Sequence, residues 1–337
     1  MKRLQLSAPA LLLAVCATTG QTPLLSEFDL TGDPLPPVRH VTEMKVSGDT
    51  LFFVHDSEES HGQLFLRRAF IDLADNHLDI SPEIGKKDDG YYMSYMPYPF
   101  IGADSRVHVI SQDDGEIYDI TDNTALVRTE RYLMNGETEV PIPLSGYIQN
   151  IFMTAPERYV FMGREPNGGR QYAMRADLEA SRIDTIRQIA ISADLQTWMP
   201  NVGEMVFSPK RNRLAFAYRL HPIVEIFSMD GTSLKYIRLG QDTFDRATLN
   251  EADFEDLNPL HTVDLTYTST SDYIYALYWS YRYDERATRF PSIIKIDFDG
   301  NIIERFSDIP SPLCRIAAIS DSRFIGWTGN RFILITL

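Results

Sequence analysis

The sequence predicts an all-β chain folded as a six-bladed β-propeller of four-stranded antiparallel blades. Three observations carry this. A short phrase, a turn followed by a polar residue and an alternating apolar strand, recurs six times at near-even spacing. Each copy is followed by a Gly or Pro and a second strand, and 3.6-residue periodicity is nearly absent. The 337 residues are 44% hydrophobic and 11% aromatic, the composition of a folded chain rather than a disordered one.

Residues 1–17 read as an export signal. Met1-Lys2-Arg3 is a charged start, Leu4 to Val15 is mostly apolar, and Cys16-Ala17 is a small-residue exit. The apolar run is shorter than the about 20 residues a membrane-spanning helix needs. Leu13-Ala14-Val15-Cys16 resembles a bacterial lipoprotein box, with Val15 departing from its usual small residue, and lipidation is expected at Cys16. Cleavage after Ala17, leaving a soluble exported protein, is the alternative. Residues 18–37 are assigned to a tether and closing strand, and residues 38–337 to the propeller.

The first phrase appears as Asp104–Val109, Pro156–Phe161, Arg211–Phe216 and Asp321–Gly326, with looser copies at Ser271–Tyr275 and Asp49–Phe53. Aligning Leu51, Arg106, Arg158, Arg213, Tyr273 and Arg323 gives steps of 55, 52, 55, 60 and 50 residues. The second phrase starts at Gly62, Gly115, Gly169, Pro222, Pro291 and Gly329. Asp122-Asn123, Asp230-Gly231 and Asp299-Gly300 supply the positive φ of tight hairpins before a further strand. Val41–Val46, Tyr147–Phe152, Glu204–Phe207, Thr262–Tyr267 and Arg315–Ile319 precede the first phrases as one more strand. That makes about four strands per repeat. The last repeat runs out of chain after three, so Leu25–Leu30 is expected to complete the last blade and close the ring. Glu179–Ile189 has some helical character, but its place in the repeat assigns it to an outer strand.

The lipoprotein-like start, the six loose blades and Tyr98-Pro99-Phe100-Ile101-Gly102 before the second blade together resemble the TolB-like six-bladed propeller proteins of gut Bacteroidetes. The resemblance spans residues 22–337. It implies an exported cell-envelope protein, located in the periplasm or at the outer membrane as a lipid-anchored protein. It implies no catalytic residue.

Acidic side chains number 47 against 32 basic ones, a net charge of −15. That argues against nucleic-acid binding and against basic docking on anionic lipid, so membrane contact is expected only through an N-terminal lipid. Two cysteines exclude a disulfide framework and a four-Cys zinc site, and Cys314 reads as a buried strand residue. In a propeller, the loops between second and third strands share a face with the inter-blade loops, and here those are the long ones. The face is aromatic and polar: Tyr91, Tyr92, Tyr95, Trp198, Tyr281, Arg282, Tyr283, His221 and His261 are the candidate ligand-binding residues, with Tyr98 beside them. Rings next to hydrogen-bonding groups suit a glycan or peptide. The plainer alternative is that they pack loops onto blades.

No metal or other cofactor is assigned. Asp297-Phe298-Asp299-Gly300-Asn301 starts like a calcium loop but lacks the third ligand and the closing Glu. Asp88-Asp89-Gly90 and Asp113-Asp114-Gly115 read as turns. The histidines form no H-x-H or H-E-x-x-H pair, His108 reads as a packed strand residue, and no nucleophile elbow or phosphate loop is present. The expected function is binding or scaffolding for a glycan, peptide or envelope protein. The alternative is a propeller hydrolase or lyase, with or without a metal, with its site assembled in the funnel.

Overall fold

The computed structural model describes residues 23–32, 38–56, 64–82, 84, 97–102, 106–111, 116–121, 125–132, 148–165, 169–240, 263–267, 272–280, 289–307 and 309–337. Two short strands come first, β1 (Leu24–Glu27) and β2 (Asp29–Thr31). Then come β3 (Arg39–Ser47), β4 (Thr50–Asp56), β5 (Leu64–Asp72) and β6 (His77–Ile80). The next group is β7 (Pro97–Ile101), β8 (Val107–Ser111), β9 (Glu116–Thr121) and β10 (Ala125–Tyr132). It is followed by β11 (Gln149–Ala155), β12 (Arg158–Arg164), β13 (Gln171–Asp177) and β14 (Arg182–Ile189). The fourth group is β15 (Gly203–Ser208), β16 (Arg213–Tyr218), β17 (Ile223–Ser228) and β18 (Ser233–Arg238). The fifth is β19 (Val263–Tyr267), β20 (Tyr273–Tyr278), β21 (Ser292–Asp297) and β22 (Ile302–Phe306). The chain ends with β23 (Arg315–Ala318), β24 (Arg323–Trp327) and β25 (Phe332–Thr336).

These strands make antiparallel meanders, the blades of a propeller. Five sheets have four strands: β7–β10, β11–β14, β15–β18, β19–β22, and β23-β24-β25 with β1. The remaining sheet has five, in the order β2-β6-β5-β4-β3, which departs from the expected uniform blade of four. The cause lies in the amino-terminal segment. The expected single strand Leu25–Leu30 is split at Phe28, whose side chain is buried. Before the split, β1 runs antiparallel to β25; after it, β2 runs parallel to β6. Each aligned position of the repeat lies within one residue of the start of β4, β8, β12, β16, β20 or β24. The Glu179–Ile189 segment contributes β14, at the outer edge of its sheet.

Six clusters of apolar side chains lie between consecutive sheets, so the core is distributed rather than central. Both faces of a middle strand are therefore covered. In β16, Leu214, Phe216 and Tyr218 face the β11–β14 sheet while Ala215 and Ala217 face β19–β22. Alternation sends large side chains one way and small ones the other. The first strands are neighbours in cyclic order, β3, β7, β11, β15, β19, β23 and back to β3. Pro97 and Pro99 are tolerated in β7 because that strand is an edge of its sheet.

Ionic contacts also join neighbouring sheets, and one of them is buried. Glu225 on β17 is fully buried, and its Oε1 receives Arg187 Nη1 of β14 at 2.7 Å. The Ser233 hydroxyl donates to the same oxygen at 2.8 Å, and Tyr218 donates to Oε2 at 3.0 Å. Burial, then the Glu225 charge, push the Tyr218 phenol well above its ordinary pKa. The Tyr218 hydroxyl therefore stays a donor. Tight turns behave as their composition demands: Gly231 and Gly300 sit at φ +87° and +86°.

Candidate functional site

The first strands surround the propeller axis, and several carry polar side chains at positions where the repeat otherwise has apolar ones. Glu43 and Lys45 come from β3, Tyr98 from β7, Asn150 from β11, Glu204 from β15 and Arg315 from β23. Arg219 follows β16. Lys45 Nζ lies 3.7 Å from Glu43 Oε2, their side chains 19% and 20% exposed. Arg219 Nη2 donates to Glu204 Oε1 at 2.8 Å. Arg315 Nε donates to the Thr42 carbonyl at 3.0 Å, tying β23 to β3. Burial pushes the Glu43 carboxyl above its usual range; Lys45 opposes this and Glu204 adds to it, with Arg315 and Arg219 pulling the other way. Two carboxylates and three cations from different sheets thus feel one another. Such convergence with a perturbed carboxyl is how propeller-type sites are assembled from residues distant in sequence.

Asn150 braces this cluster. It is a buried non-glycine residue at φ +47°, in a bulge of β11. Its Nδ2 donates to the Tyr98 hydroxyl at 2.8 Å, and its Oδ1 accepts the Met205 N–H at 2.8 Å. One side chain therefore links three sheets. Lys45 Nζ lies 5.7 Å from the Tyr98 ring centroid. Tyr98 is 4% exposed, so it belongs to this inner layer and not to an aromatic loop face.

The rim on the side of the long loops carries a second polar set. His40, at φ +41° and with its side chain 79% exposed, places Nδ1 2.8 Å from Asp56 Oδ2. Beneath it, buried His55 pairs Nδ1 with the Asp56 carbonyl at 2.7 Å and accepts Arg67 Nε on Nε2 at 2.9 Å. The arginine donor fixes the tautomer, leaving the proton on Nδ1.

Of the ligand-binding candidates, Trp198 and His221 lie among the described residues. Trp198 precedes a 3₁₀ turn at Met199–Asn201. Its backbone N–H donates to the Gly169 carbonyl at 2.8 Å, and the Arg164 guanidinium carbon lies 4.1 Å from its ring centroid. One face of the indole is thus covered by a cation. His221 is fully buried in the β16–β17 turn, edge-on to Tyr218 at 6.3 Å, so it packs beneath the rim. Leu195 and Leu220 bury against each other and join the two loops. Tyr91, Tyr92, Tyr95, Tyr281, Arg282, Tyr283, His261 and Cys16 lie outside the described residues, as do Asp88-Asp89 and Asp113-Asp114.

Asp297 is engaged as a turn residue. Its Oδ1 accepts the N–H groups of Asp299 and Asn301 at 3.0 and 2.7 Å, and Asp299 pairs with Arg213. Among the described residues no three His, Cys, Asp or Glu side chains are grouped to hold a metal ion. His108 is buried and stacked on Phe100 at 5.4 Å. The axial cluster was the part sequence reasoning missed; its signal was charge at Glu43, Lys45 and Glu204 within first strands.

The fold and its axial site define a β-propeller. No family model matches the chain, and no curated protein matches it. Solved structures do match in fold. A structural-genomics protein of unknown function from Bacteroides thetaiotaomicron is 12% identical, with a TM-score of 0.57 over 94% of this chain and 76% of that one. A member of the DUF4221 family from Bacteroides vulgatus is 9% identical, with a TM-score of 0.54 over 94% and 96%. A streptogramin B lyase is 10% identical, with a TM-score of 0.48 over 94% and 98%. At these identities the likeness is one of fold.

Proposed function

We propose that this chain is an exported binding or scaffold protein of the cell envelope, a TolB-like six-bladed propeller lipidated at Cys16. On this reading the five-stranded sheet acts as the sixth blade, and the amino-terminal strand closes the ring. The long-loop face takes a glycan, peptide or protein partner in the periplasm or at the outer membrane, through Trp198 and its companions Tyr91, Tyr92, Tyr95, Tyr281, Arg282, Tyr283 and His261, while buried His221 supports the rim from beneath. The axial cluster carries the reading. Arg219 and Arg315 stand at the loop-side ends of their strands, with Lys45 further in, so a ligand on the rim meets cations that receive its anionic or hydroxyl-rich end.

The second reading is a hydrolase or lyase, and it rests on Glu43. A carboxyl with a raised pKa beside a second carboxylate is the usual composition of a proton-transfer pair. One experiment separates the two. The mature domain is screened by thermal shift against glycans, muropeptides, peptides and divalent cations, alongside Trp198→Ala and Glu43→Gln. Binding expects a ligand-dependent shift that Trp198→Ala weakens, with no chemical change in the ligand. Turnover that Glu43→Gln abolishes while binding persists refutes the binding reading in favour of the enzyme.

A further inference from the structure

Beside the axis and the rim, the molecule has a separate cavity on the β3–β6 sheet. Thr50, Arg68, Phe70, Asp79 and Ser81 line it, and its volume is about 350 Å³. Three adjacent strands make its floor. Phe70 is the cross-strand partner of Thr50 on one side and of Asp79 on the other. The Ser81 N–H donates to the Arg68 carbonyl at 3.0 Å. Arg68 and Phe70 are two residues apart and so share a face. Leu66, on that same face, packs against Val107 and Val109 of the next sheet. The cavity therefore lies on the face of this sheet that, further along β5, packs against its neighbour.

Its chemistry is that of two unlike charges left apart. Among the described residues the Arg68 guanidinium has no hydrogen bond or ion pair, and burial lowers its pKa. Asp79 accepts the Thr31 hydroxyl on Oδ1 at 3.3 Å, which leaves Oδ2 for another donor. The two charged residues are diagonal neighbours across the β5–β6 pair, about 7–8 Å apart. They line one cavity without closing on each other. Phe70, 55% exposed, stands at the cavity beside both.

We propose that this cavity is a binding site for a free α-amino acid, its carboxylate on Arg68, its ammonium on Asp79 and its side chain against Phe70. The guanidinium fork matches a carboxylate in bidentate fashion. The Ser81 hydroxyl donates to the Arg68 carbonyl at 3.0 Å, which leaves its lone pairs to accept from a further donor. The volume lies at the small end of ligand sites, which excludes an oligosaccharide.

The test is ligand-observed NMR on the full mature protein with the standard amino acids, each beside its deaminated carboxylic acid. Variants Arg68→Gln and Asp79→Asn are first checked for an unchanged melting transition. At least one amino acid binds saturably, and more tightly than its deaminated acid. Arg68→Gln weakens it about ten- to hundredfold, the loss of a charge-assisted pair. Asp79→Asn weakens the amino acid and leaves the deaminated acid unchanged. Silence across the panel overturns the proposal. So does binding that survives both substitutions, or a deaminated acid that binds as tightly as its parent.

Discussion

Replacing Arg187 by Met isolates an ion pair between sheets that is wholly removed from water on its acidic side. Glu225 is 0% exposed and takes hydrogen bonds from Arg187, Ser233 and Tyr218. Without Arg187 the carboxylate keeps neutral donors, Ser233 and Tyr218 among them, and loses its counter-charge. Breaking a buried pair on one side costs about 3–5 kcal/mol, because the remaining charge is uncompensated. Unfolding entropy of about 2.1 cal/mol/K per residue gives about 0.7 kcal/mol/K for this chain. The melting temperature should therefore fall by about 4–7 °C. Calorimetry gives that shift and urea titration gives the free energy. Pairing Arg187→Met with Glu225→Leu removes both charges and should recover most of the loss. A single variant that loses less than about 1 kcal/mol, or a double variant as poor as the sum of the singles, refutes the reasoning.

Other consequences are measurable. Asn150→Ala should cost about 2–4 kcal/mol, since it leaves the Met205 N–H buried without its acceptor and forces Ala to φ +47°; Asn150→Gly should cost less, as read by urea titration. Glu43 holds its proton more tightly folded than unfolded, so stability falls as pH rises from the ordinary glutamate value through the raised one. Glu43→Gln should therefore be more stable than the parent at neutral pH, with the gap closing under acid in a series of urea titrations. The Ser228 hydroxyl and the Thr232 N–H hold the Asp230 carboxyl down at about 2. NMR titration should find it there, and Ser228→Ala should move it back toward the ordinary aspartate value.

The fold was readable because its repeat is written in backbone chemistry. Arg158, Arg213 and Arg323 each open the second strand of a sheet, and Asp230-Gly231 and Asp299-Gly300 make the turns their composition demands. The split at Phe28 was not readable. A six-residue stretch mixing apolar and polar residues looks the same whether it pairs with one sheet or two, and the choice depends on where β25 and β6 end in space. The axial cluster was hidden for a similar reason. Glu43 and Glu204 are 161 positions apart and come together only because first strands converge on an axis. The aromatic face was over-read at Tyr98, whose position inside a first strand, between two prolines, marks it as an inner-layer residue.

The amino-terminal segment also fixes an order of events. Glu27 meets Arg331 across 304 positions, where strand β1 pairs with β25. Closing so long a loop costs about 1.6 kcal/mol more than closing one repeat of about fifty residues, by chain entropy alone. Four of the other sheets assemble from strands adjacent in sequence and β2 joins β6 across one repeat, while β1 has no partner until β25 exists. That seam should form last, and hydrogen exchange at the β1–β25 amides should find it the first to open on heating.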